Sequence, residues 1–173
     1  MVASSTSPAT RARPPHAGRN EAHVPDQHRE GEGTPSGRCD RVGSLGEAPE
    51  ALFVYGTLRC APVLQGLTGR TPRGVPDSAP GWRVASLAGR IYPGLVPGPG
   101  TAAGAVLTDL TPSEWRVLDD FEGQQYELRP LTLTSGRQAV AYVWMVNEAV
   151  LPANWDLAIF ERDHLAAYVT RFR

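Results

Sequence analysis

The chain has 173 residues and a formal net charge of −1, and all 17 of its basic residues are arginine. The absence of lysine excludes a Schiff-base or pyridoxal-phosphate lysine and a P-loop. From residue 51 onward eleven Arg stand against eleven Asp plus Glu, so no basic face is visible for duplex nucleic acid, and no apolar run approaches the length of a membrane span.

The chain divides by composition. All thirteen aromatic residues lie at or after Phe53, while the first fifty residues hold six prolines, six glycines, six arginines and seven acids. Such a stretch buries too little apolar surface to offset its ordering entropy. Residues 1–49 therefore read as a disordered N-terminal tail and 50–173 as one domain. Residues 1–20 carry Arg, Ser and Thr with no acid before Glu21, a composition shared by transit peptides and plain disordered extensions. Two cysteines, Cys39 and Cys60, make no disulfide framework, which suits a reducing compartment and a cytoplasmic location.

Within the domain, Leu52 to Tyr55 reads as a strand apolar on both faces, hence central. Ala61 to Leu67 allows one or two helical turns, and Gly66, Gly69, Pro72, Gly74 and Pro76 mark a loop that extends to Pro80. Trp82 to Leu87 alternates as a strand. Arg90-Ile91-Tyr92 is expected to be short and extended, broken at "PGLVPGPG" from Pro93 to Gly100, and Ala102 to Leu107 forms another strand.

The clearest helix is "LTPSEWRVLDDFEG", Leu110 to Gly123. Thr111 is a good N-cap, Pro112 fits the first helical position and Glu114 completes a capping box. Trp115, Leu118 and Phe121 follow helical spacing, with Val117 beside them, and Gly123 can supply a left-handed C-cap. Tyr126–Thr134 and Gln138–Val146 then flank the hairpin turn "TSGR". A last helix is expected over Asp156–Arg171. Few, short, mainly antiparallel strands with helices between and after them point to an α+β fold with a small barrel or strongly curled sheet.

Two places can carry chemistry. Glu122 falls four residues after Leu118, near the inward stripe of its helix. It also lies at the negative end of the helix dipole, with Asp119 and Asp120 close by. Burial, dipole and like charge all disfavour its ionised form, and a carboxyl poised nearer neutrality suits a general base. The plain alternative is a frayed, solvated helix end. The second place is Tyr55-Gly56-Thr57-Leu58, where a glycine at a strand's end lets backbone N–H groups approach a ligand and cradle a carboxylate; the alternative is a structural turn. Three of four histidines lie in the tail, and His164 reads as a packed or surface residue. Zinc and a cysteine nucleophile have little support.

The segments "FVYGTLR", "YPGLVPGPG", "LDDFEGQQYELRPL", "VAYVWM" and "WDLAIFERDHLAAYVTRF" together resemble the γ-glutamylcyclotransferase-like superfamily, in its AIG2-like and γ-glutamylaminecyclotransferase branch. The resemblance covers nearly all of 51–173 and leaves the tail without a counterpart. It implies a small mixed β-barrel flanked by helices. It implies that Tyr55, Gly56, Thr57 and Leu58 bind the substrate's α-carboxylate and amine end, with Tyr126 lining the pocket and Glu122 as catalytic acid/base. The implied reaction needs no metal and no cofactor, because the substrate's own α-amine attacks its γ-carbonyl, giving 5-oxoproline and a free amine. The implied partner is a small γ-glutamyl amine or amide, with no nucleic acid and no membrane. The leaving amine stays open. Two rivals also stay open: a non-catalytic barrel that binds a glutamyl-like ligand, and an interaction protein working through the tail.

Overall fold

The structure, a computed structural model, describes residues 41–45 and 49–172. The reading of the remainder of the tail lies outside the described residues. Six strands form one mixed sheet: β1 (Leu52–Val54), β2 (Gly74–Leu87), β3 (Gly94–Leu107), β4 (Tyr126–Thr132), β5 (Gln138–Trp144) and β6 (Val150–Asn154). Their spatial order is β4-β5-β1-β3-β2-β6, with β5 also meeting β3. The neighbours are antiparallel except at β1–β5 and β3–β5. The sheet curls into a half-barrel flanked by α1 (Ala61–Thr68), α2 (Pro112–Phe121), α3 (Leu157–Asp163) and α4 (Leu165–Val169), as the α+β reading expects.

The doubly apolar β1 is explained by two cores. Leu52 and Val54 join the helical side chains Trp115, Leu118, Phe160 and Tyr168. Phe53 and Tyr55, on the other face of the pleat, join a cluster of strand and turn residues with no helical member, including Leu95, Val106, Ala141 and Val143. One cluster lies between sheet and helices, the other inside the curl.

Several elements differ from the sequence reading, each for a local reason. Gly74–Pro80 and all of "PGLVPGPG" after Pro93 are not loops: they belong to β2 and β3, two 14-residue strands that pair as a hairpin with a register shift between Pro80 and Trp82. Gly81 at the shift has φ 77°, so glycine and proline here mark a bulge within a strand, not its end. Arg90–Tyr92 follows the Ala88-Gly89 turn in the connection of that hairpin and is not a strand. The final helix breaks at His164, whose backbone (φ −126°, ψ −29°) leaves helical geometry and separates α3 from α4. β6, which adds to β2, has no counterpart in the sequence reading.

The capping box on α2 is present: Thr111 accepts from the Glu114 N–H, and the Glu114 side chain accepts from the Thr111 N–H. The far end differs. Gly123 is not left-handed; Glu122 is the C-cap in an extended conformation (φ −77°, ψ 109°). Arg41, just ahead of the domain, binds one carbonyl of the last turn that a left-handed cap would have served, that of Asp119, and three at and beyond the cap. Its guanidinium donates to the main-chain oxygens of Asp119, Glu122, Gly123 and Tyr126.

Candidate active site

The chain leaves β1 at Tyr55 and turns through Gly56 into a 3-10 turn, Thr57–Arg59. The glycine is required by contact: a Cβ there would lie 2.7 Å from Pro93 Cγ. Pro93 in turn receives a 2.7 Å hydrogen bond from the Tyr126 hydroxyl. The strand end, the β2–β3 turn and the start of β4 are therefore locked together. The Arg59 and Cys60 N–H groups close the turn onto the Gly56 and Thr57 carbonyls. The first amides of a helical turn have no partner within it, and the N–H groups of Gly56, Thr57 and Leu58 find none elsewhere among the described residues. The Leu58 side chain packs in the helix-side core, so its main chain alone is on offer.

Glu122 sits at the end of α2. The residue is half-buried, and its carboxyl is crowded by neighbouring atoms while its unpartnered oxygens still reach solvent. Burial pushes it from the ordinary 4.5 up to about 8; Arg41 acts against this and the nearby Asp119 charge adds to it. Among the described residues no hydrogen bond is made to this carboxyl, whereas its own carbonyl is held by Arg41.

Around it stand four tyrosines, Tyr55, Tyr126, Tyr142 and Tyr168, each of which feels its charge. Burial raises Tyr55 well above 10, and the Glu122 charge adds to this. Tyr126 is raised likewise, with Tyr55, Glu122, Tyr92 and Tyr168 contributing after burial. Tyr142 is raised by burial, then by Asp119 and Glu122. Tyr168 is pushed up to about 12 by burial, partly offset by the Thr57 hydroxyl and by Arg171. All four phenols are protonated at neutral pH. Three of their protons have fixed acceptors: Tyr55 donates to the Tyr142 carbonyl at 2.6 Å, Tyr126 to Pro93, and Tyr142 to Asp119 Oδ1 at 3.1 Å. What these oxygens retain is acceptor capacity.

Tyr55, Thr57, Tyr126 and Glu122 thus belong to one electrostatic cluster, and Gly56 is tied to it through Pro93. The cluster pairs a strip of donor amides with a group of acceptors headed by a carboxyl. That is the complement of an α-amino acid head, whose carboxylate accepts and whose ammonium donates. The metal-ligating residue types His, Cys, Asp and Glu form no group of three or more suited to an ion among the described residues.

Residues 52–161 match the family described as gamma-glutamyl cyclotransferase, AIG2-like. The chain belongs to this family. AIG2-like protein C of Arabidopsis thaliana is 34% identical over 132 residues, covering 72% of this chain and 77% of that protein. A solution structure of an Arabidopsis thaliana protein superposes with a TM-score of 0.53 at 29% identity, covering 72% of this chain and 88% of the other. A gamma-glutamyl cyclotransferase structure shares the fold at TM-score 0.51 and 13% identity, covering 72% and 86%.

Three members of the site in this AIG2-like cyclotransferase family chain escape a reading of its sequence. Tyr142 and Tyr168 look like core aromatics, and they are fully buried; only the gathering of four tyrosines around one carboxyl distinguishes them. Arg41 lies ahead of the segment that matches the family and carries no local signal. Cys60 is a buried free thiol raised to about 12 by burial and by Glu161, the opposite of the depressed thiol a nucleophile needs.

Proposed function

We propose that the chain is an active γ-glutamyl cyclotransferase releasing 5-oxoproline and a free amine from a small γ-glutamyl amine or amide. The observation that carries this reading is the Glu122 carboxyl: raised to about 8, without a hydrogen-bond partner among the described residues, and surrounded by phenols with committed protons. In this reading the substrate's α-carboxylate meets the amides of Gly56, Thr57 and Leu58. Its α-ammonium meets Glu122 and the lone pairs that remain on Tyr126 and on Tyr55, which also accepts from the Leu95 N–H.

The chemistry is intramolecular. Glu122 takes a proton from the ammonium, and the freed amine nitrogen attacks the γ-carbonyl carbon. The new carbon–nitrogen bond closes a five-membered ring. As the tetrahedral centre collapses, Glu122 hands the proton to the leaving nitrogen as its bond to carbon breaks, then takes the second proton from the ring nitrogen and passes it to the released amine, which departs as an ammonium. Holding amine and carbonyl in contact is an orientation effect that lowers the barrier by many-fold. One carboxyl near neutrality serves these proton transfers. Amides of the turn also steady charge developing on the γ-carbonyl oxygen. The buried free thiol Cys60 suits a reducing, cytoplasmic setting.

The test is to incubate the full chain with a panel of γ-glutamyl amines and γ-glutamyl amino acids and assay 5-oxoproline. Release from at least one member of the panel is expected. No release across the panel, with tight binding of a γ-glutamyl compound by calorimetry, would make this a binding barrel and not an enzyme.

A further inference from the structure

Arg41 makes more polar contacts than any other described side chain. Its Nε donates to Asp119 Oδ1 at 2.8 Å and its N–H to Asp119 Oδ2 at 3.3 Å. Its two terminal nitrogens reach four carbonyls, those of Asp119, Glu122, Gly123 and Tyr126, the last at 2.9 Å. The guanidinium also lies over the Tyr142 ring, 5.3 Å from its centroid. Asp119, 7% exposed, is therefore shared between Arg41 and the Tyr142 hydroxyl. Tyr142 passes the connection on, because its carbonyl accepts from Tyr55. One arginine outside the family-matched segment thus ties the last turn of α2 to β4, β5 and the end of β1.

We propose that Arg41 is a positioning residue: it replaces a glycine C-cap at the end of α2, fixes the backbone of Glu122, and balances the Asp119 charge beside the Glu122 carboxyl. The proposal rests on the reading of Glu122 as acid/base. Arg41 touches no reacting atom; it acts through the Glu122 main chain and through Asp119. The groups that face Glu122 are Asp119 on α2, Arg41 on the preceding segment, Tyr55 after β1, Tyr126 on β4, Tyr142 on β5 and Tyr168 on α4. Tyr92 in the β2–β3 turn joins through Tyr126 and Tyr168. Arg41 is the cation among them that favours ionised Glu122, so its loss leaves Asp119 to oppose ionisation unchecked.

The experiment uses the full chain with ¹³C-labelled glutamate, the Glu122 carboxyl signal being assigned with Glu122→Gln. Arg41→Gln is expected to raise the titration midpoint of Glu122 by about half a pH unit or more. The acid limb of kcat/KM is expected to move up by the same amount; substrate ionisation is common to all variants and cancels in the difference. Arg41→Lys keeps the charge, so the midpoint is expected to stay near the wild-type value while kcat falls, since an ammonium does not span four carbonyls in a plane. Asp119→Asn is expected to move the midpoint down, and it keeps the test decisive if Arg41→Gln does not fold. A folded Arg41→Gln with an unmoved midpoint, or an Asp119→Asn midpoint that rises, overturns the proposal. Absence of turnover in the wild type strikes instead at the catalytic reading and leaves the carboxyl titration to judge Arg41 alone.

Discussion

At the scale of single residues, the site is an arrangement of donors and acceptors around Glu122. The two proposed anchors are marked in the sequence, since Glu122 continues the inward stripe of a well-capped helix and Gly56 interrupts an apolar strand at its end. The reason for Gly56 is not legible, because it depends on Pro93, a residue 37 positions away in the chain whose ring occupies the space a Cβ would need. Gly56→Ala is expected to push Pro93 and, through its carbonyl, the Tyr126 hydroxyl. The expected result is a stability loss of about 1–3 kcal/mol, the usual range for overpacking, and at least a tenfold fall in kcat/KM, read by urea unfolding and by the 5-oxoproline assay. Unchanged turnover in this variant would separate the turn from the site. Arg41 and Tyr168 are illegible for a related reason: neither stands near Glu122 in sequence, and nothing in their neighbourhoods marks a polar role.

At the scale of elements, α2 carries the site, and its two ends are secured differently. The N-terminal end follows from sequence-local rules. Thr111 and Glu114 form the box, and Arg70 reinforces it, with Nε 2.5 Å from Glu114 Oε1 and a further bond to Asp109 at 2.9 Å. Thr111→Ala is expected to cost about 1 kcal/mol in urea unfolding, as N-caps usually do. Arg70, with help from Thr111 against the opposing effect of burial, holds the Glu114 carboxyl down at about 2. A carboxyl depressed in the fold stabilises it above the ordinary 4.5, and that contribution disappears as pH falls towards 2. Arg70→Gln is therefore expected to flatten the acid limb of the stability profile in that window. The C-terminal end follows no local rule, because a distant arginine takes the role assigned to Gly123. The β2–β3 hairpin teaches the same lesson. Its glycines and prolines read as loop punctuation, but pairing along the whole arm overrides them and absorbs the irregularity in one bulge.

At the scale of the whole molecule, the fold class is legible because the two-faced apolar β1 demands a layer on each side, and the curled sheet with flanking helices provides both. The parallel pairings of β5 with β1 and β3 are not legible, since register between distant strands leaves no mark in a single sequence. The site also imposes a cost on the fold that pH reveals. Folding raises Glu122 from 4.5 to about 8, so the native state keeps a proton that the unfolded chain releases. Stability is expected to decline as pH climbs from 4.5 towards 8. Glu122→Gln is expected to lack this decline and to be the more stable protein at pH 8 in thermal or urea unfolding; equal profiles would mean the carboxyl is not held neutral. The same substitution tests the central claim most directly. With a γ-glutamyl amine turned over by the wild type, 5-oxoproline release by Glu122→Gln is expected to fall by about a hundredfold or more, as for loss of an acid–base group, while calorimetry still registers substrate binding. Near-normal release from a folded Glu122→Gln protein would contradict the account.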